Sequence, residues 1–221
     1  MVLTRKQERS IIVAFEDFEG YSVGEVADWT PLGEGLGEGL GELRPVDLET
    51  LANTEGLAFK DWSEERPEER LKALRSMEDT LAGCEKRPAR EVVLDDTLGE
   101  GTFGYYNPGD GKIHLNGDLV ADECEWLEGK EQWREAIGTV VHEGRHAFQH
   151  DAVDWLEEHP EVQSVNAELA GELAAWRHNM EHYLPGDIYG DYIYQNQPIE
   201  KDAFGFENKY TGMLEGMLAR A

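Results

Sequence analysis

Apolar residues recur at helical spacing through four stretches of this chain, and alternate in steps of two through a short region between them. In "SEERPEERLKALRSMEDTLAG", residues 63 to 83, Leu71, Leu74, Met77 and Leu81 form one stripe; Ser63 is placed to cap its start and Gly83 to close it. "REVVLDD" (90 to 96) reads as a strand, and "FGYYNPGDGKIHLNG" (103 to 117) as a hairpin of two alternating runs around a Pro-Gly-Asp-Gly turn. A long helix follows from about Lys130 to His150, with Trp133, Ile137, Val140, Val141 and Phe148 on its inner side. Two more helices are expected at about 161 to 183 and 198 to 220, the last opened by Pro198. Strands followed by helices indicate the α+β class.

Upstream, "LGEGLGEGLGEL" (32 to 43) has glycine at every second position from Gly33 to Gly41. Glycine this dense weakens helix and strand alike, so the segment reads as a loop. Its glutamates would repel phosphate, and it carries neither GxGxxG nor GKS/GKT chemistry. It sits in an N-terminal accessory or cap region, residues 1 to 89, ahead of a second unit spanning 90 to 221.

Composition narrows the partners. With 47 Asp and Glu against 20 Lys and Arg, the formal charge of −27 repels nucleic acid and anionic membranes. The acidic residues are spread along the whole chain, which favours a property of the entire surface. Halophilic adaptation, an ordinary solvated surface and DNA mimicry are the three readings. Cys84 and Cys124 form no CxxC pair and read as reduced thiols of a cytoplasmic protein. The apolar run near the N-terminus is too short for a signal-peptide core, and no stretch reaches membrane-span length; export by a signal-independent route stays open.

The chemistry concentrates in "GTVVHEGRHAFQHD", residues 138 to 151. His142 and His146 are four residues apart, so on a helix both imidazoles stack on one face and can reach one ion. Zinc takes nitrogen ligands at about 2.0–2.1 Å and, in catalytic sites, three protein ligands plus water. Glu143, about 100° around the helix from His142, is placed to take a proton from water acidified by the metal. His150 is excluded from the same ion, because eight helical residues advance about 12 Å; it reads as a surface residue or one that supports a ligand. The HExxHxxGxxH continuation is absent, since position 149 is Gln149 and position 152 is Ala152. Glu168, Glu172 and Glu200 are the candidates for a third ligand.

"HEGRHAFQ", together with "WRHNMEHY" (176 to 183) and "QPIEKDAFGFEN" (197 to 208), resembles the zincin metallopeptidase domains found at the C-termini of bacterial polymorphic toxins. The resemblance runs from about Tyr105 to Tyr210. It implies a minimal zincin-like fold, in which a small antiparallel-containing sheet packs on the active-site helix and C-terminal helices. It also implies a gluzincin-like site with Glu200 as third ligand. Glu200 fits that role locally, lying in the first turn of a helix beside the stripe Ala203, Phe206, Tyr210, Met213 and Met217. Asp202 is a candidate to orient a ligating histidine. Tyr189, Tyr192, Tyr194, His178 and His182 are candidates by type to stabilise an oxyanion. By analogy with zincins, "KIHLN" (112 to 116) would be the edge strand that pairs with substrate backbone.

These features together indicate a zinc-dependent metallopeptidase acting on a protein or peptide. His142, His146 and Glu200 would hold the ion and Glu143 would act as base. Two alternatives remain: a non-catalytic, metal-stabilised acidic interaction protein (a DNA mimic or an inhibitor), and a zinc hydrolase of a non-peptide substrate.

Overall fold

A computed structural model describes residues 3–6, 41–161 and 166–218. Most of the glycine-rich segment at 32 to 43 therefore lies outside the described residues. The order of elements is β1 (Leu3–Lys6), α1 (Pro45–Ala52), α2 (Phe59–Glu64), α3 (Pro67–Glu85), β2 (Glu91–Asp95), β3 (Thr102–Asn107) and β4 (Lys112–Asn116), followed by α4 (Lys130–Glu158), α5 (Ala167–Glu181), α6 (Gly186–Tyr189), α7 (Asp191–Gln195) and α8 (Pro198–Leu218). The chain is thus of mixed α+β character, dominated by helix.

The sheet runs in the order β1-β3-β4-β2. Strands β3 and β4 form the expected antiparallel hairpin, β1 lies antiparallel on the outer side of β3, and β2 runs parallel to β4. The turn is closed by Gly111 N–H donating to the Asn107 carbonyl (2.8 Å), while Asn107 and Asp110 side chains accept from Gly109 N and Lys112 N. Gly111 sits at φ 69°, where a Cβ would be strained. "KIHLN" is therefore not an edge strand. Both of its backbone edges are taken, one by β3 and one by β2.

Helix α3 does not begin at Ser63. Pro67 disfavours helical backbone at the residue before it and is well suited to the first helical position. Arg66 is accordingly extended (ψ 160°), and α3 starts at Pro67. The Ser63 hydroxyl donates instead to Lys60 O within α2. Nor does Gly83 close the helix, which runs on to Glu85 and ends on Lys86 in the left-handed conformation. Helix α4 is longer than its first stripe suggests: Ala152, Val153 and Leu156 continue the buried face until the turn at His159-Pro160.

Two apolar clusters hold these elements together. In the larger, Leu48, Leu51, Trp62, Leu74 and Met77 pack with sheet residues Val92, Phe103, Ile113 and Leu115, and with Ile137, Val140, Val141, Tyr210 and Leu214. Each such side chain contributes about 1.5–3 kcal/mol when fully buried. This core runs continuously across position 90, so α1–α3 share it with α4 and α8. In the smaller cluster, Phe148, Ala152, Leu173, Trp176 and Ile199 join the second half of α4 to α5 and the start of α8. On α8 the stripe rotates slightly from its expected position: Leu214 is buried, whereas Met213 is 47% exposed. Among the described residues no helix is long and apolar enough to cross a membrane, and Cys84 and Cys124 are free.

Candidate metal centre

Helix α4 passes from one apolar cluster to the other at Ala147 and Phe148. The histidine pair lies at that seam, with both side chains fully buried. His142 Nε2 and His146 Nε2 face each other at 3.1 Å. Glu200, in the first turn of α8, brings Oε2 to 3.5 Å from His142 Nε2 and Oε1 to 3.6 Å from His146 Nε2. Four tetrahedral ligands about 2.0–2.2 Å from a zinc ion stand about 3.3–3.6 Å from one another. The two imidazole nitrogens, and each nitrogen with its nearer Glu200 oxygen, thus stand close to the mutual spacing of ligands on one such ion.

The surrounding hydrogen bonds decide which nitrogen carries the proton on each ring. His142 Nδ1 lies 3.1 Å from the Glu207 carboxylate, an acceptor only, so Nδ1 donates. His146 Nδ1 lies 2.8 Å from Gln149 Oε1. The Gln149 amide is oriented by its NH2 group, which donates to Ile199 O and Asp202 Oδ2. Its oxygen therefore faces His146, and Nδ1 of that ring must also donate. Both neutral imidazoles then turn Nε2 lone pairs toward each other and toward a carboxylate. Such an arrangement requires a positive charge between them. In the absence of a cation a proton must supply it. Burial alone would lower the His142 pKa, but the neighbouring Glu200 and Glu207 carboxylates prevail and push it up to about 10. Glu200 is held far below the usual carboxylate range, because His146 and His142 outweigh the cost of burial.

Glu143 projects from the neighbouring face of α4. Its Oε2 accepts the backbone N–H of Tyr106 on β3 at 2.8 Å. Its Oε1 is buried without a hydrogen-bond partner, as is Glu200 Oε2. Burial raises the Glu143 pKa, and the adjacent imidazoles only partly oppose the rise. The result is a carboxylate with more affinity for a proton than an exposed glutamate has. Two unpartnered carboxylate oxygens beside two lone-pair nitrogens are the donor set a divalent cation and its water would satisfy.

The remaining candidates are placed as follows. Glu168 is exposed, and neither it nor Glu172 belongs to the ligand cluster, which among the described residues contains His142, His146 and Glu200. His150 is partly buried against the Tyr106 ring, with centroids 5.5 Å apart, and takes no part in the cluster. Asp202 does not touch a ligating histidine. It pairs with Arg145 Nε at 2.7 Å and reaches His146 only through Gln149. Of the proposed oxyanion groups, Tyr189, Tyr192, His178 and His182 are exposed. Tyr194 is buried, within hydrogen-bonding reach of Glu200 and Tyr183.

Three contributors escaped the sequence reading. Tyr183 donates to Glu200 Oε1 at 2.7 Å; Gln149 and Glu207 hold the two histidines. A signal existed for the last two, since Gln149 lies three residues after His146, and Glu207 lies seven after Glu200, on the same helical face. Tyr183 closes the segment "WRHNMEHY", but its spacing gave it no role, because it belongs to the connection after α5.

Arg145, inside the motif, points the other way. Its guanidinium is buried, joins Asp202 of α8 to Glu85 of α3, and lies 4.5 Å from the ring centroids of both Phe148 and Phe206. Arg87 in turn binds Glu85 and Glu78. These ion pairs fix α3, α4 and α8 around the histidines.

No protein-family model, curated protein or solved structure matches this chain.

Proposed function

We propose that this protein is a zinc-dependent metallopeptidase, with His142, His146 and Glu200 as ligands and Glu143 as general base. The observation that carries the reading is the clustering of the two Nε2 atoms, 3.1 Å apart, with Glu200 Oε2 3.5 Å from His142 Nε2 and Oε1 3.6 Å from His146 Nε2, and an unpartnered Glu143 oxygen buried beside the histidines. A zinc ion bound there would acidify water and polarise a substrate carbonyl. Glu143 Oε1 would take the proton of the attacking water and deliver it to the leaving amine, while the Tyr106 N–H holds the other oxygen in place. Tyr183 and Tyr194 place hydroxyls beside the ligand carboxylate, and either would stabilise oxyanion charge by turning its proton from Glu200 to the substrate. The peptide bond as substrate is supported by the resemblance of the histidine helix and the "QPIEKDA" segment to zincin peptidase domains.

The test is cleavage of a proteome-derived peptide library by the zinc-loaded protein, followed by mass spectrometry. Glu143→Gln should lower the rate by about 10²–10⁴-fold while keeping bound zinc. Cleavage unchanged by Glu143→Gln would overturn the assignment of the base. A zinc-loaded wild type that cleaves no peptide would favour a non-peptide substrate or a non-catalytic role.

A further inference from the structure

Away from the buried centre, the last turn of α5 carries a second set of donors that no step above uses. His178, Glu181 and His182 stand at i, i+3 and i+4, all exposed, each with a ligand atom within 4.8 Å of the others. The two imidazoles are stacked, with centroids 4.3 Å apart and planes at 30°. His182 Nδ1 lies 2.9 Å from the carbonyl oxygen of His178. A carbonyl can only accept, so Nδ1 carries the proton and Nε2 of that ring keeps its lone pair. Glu181 engages Arg177 through Oε1 alone, at 3.2 Å. The helix ends here, with His182 as its C-cap, and its last carbonyls favour positive charge.

We propose that His178, Glu181 and His182 form a second, surface site for a divalent transition-metal ion. Two imidazoles and a carboxylate suit zinc, nickel or copper, whereas calcium and magnesium prefer an all-oxygen set. The site is weaker than the buried centre, because exposed side chains must be ordered to bind and solvent fills the remaining positions. Its neighbours connect it to that centre. Tyr183, the next residue, donates to Glu200, and Asn179 of the same turn bonds Gln197 and Ile199 at the head of α8.

The test is calorimetric titration with zinc of the wild type and of the His178→Ala/His182→Ala double variant, in magnesium-containing buffer to occupy general carboxylate sites. The wild type should show a weaker binding class beside the tight one, and the variant should lose only the weaker. If the buried centre binds no zinc, a single weak class that disappears in the variant still supports the surface site while refuting the centre. Identical titrations of wild type and variant would overturn the proposal, as would the absence of a weaker class.

Discussion

His142 and His146 are unfavourable neighbours without a charge between them, and the residues behind them keep them so. Glu207 and Gln149 hold each Nδ1–H, which forces both Nε2 lone pairs inward. Glu207→Gln retains an acceptor but removes the charge that makes His142 a more basic ligand. It should weaken zinc binding by about 10–100-fold with little change in fold, measured by competition with a chelator; unaltered affinity would show that Glu207 does not support the ligand. At this scale the sequence was informative where chemistry is set by local spacing. The i, i+4 histidines and the adjacent glutamate follow from helical geometry alone. Tyr183 and the indirect placement of Asp202 depend on how α5 and α8 meet, which spacing does not encode.

Side chains of α3 pack directly on Gly144 of α4, within the motif itself. A Cβ there would lie 2.7 Å from Arg87 Nη2, 3.1 Å from Glu78 Oε2 and 3.1 Å from Leu81 Cδ2. The arginine and glutamate are a fully buried pair that cannot swing into water. Gly144→Ala therefore trades a helix-propensity gain of about 1 kcal/mol against an overpacking cost of about 1–3 kcal/mol. It should lower stability by about 1 kcal/mol in urea unfolding. An increase in stability would mean that α3 yields easily. The helices with long apolar stripes and the hairpin with its glycine turn were legible beforehand, because one periodicity runs through each. Short helices such as α1, α6 and α7 lack enough turns to show a period. The parallel pairing of β2 with β4, which removes KIHLN from the sheet edge, is a long-range choice.

For the molecule as a whole, the charge of −27 dominates. Several carboxylates are neutralised internally, as in the Glu78–Arg87–Glu85–Arg145–Asp202 series, but the excess of acid over base leaves most facing solvent and repelling one another. Screening at about molar salt shortens the Debye length to about 3 Å. The melting temperature should therefore rise steadily from low to molar NaCl, as expected of a halophilic surface; a flat profile would indicate an ordinary solvated one. Neither result bears on the buried centre, whose donor side chains lie within the protein and not on its acidic surface. That centre is tested most directly by anomalous scattering at the zinc edge from zinc-soaked crystals. One ion should appear about 2.0–2.2 Å from His142 Nε2, His146 Nε2 and a Glu200 oxygen, and should be lost in His146→Ala. An ion found elsewhere, or none between the two imidazoles, would contradict the account.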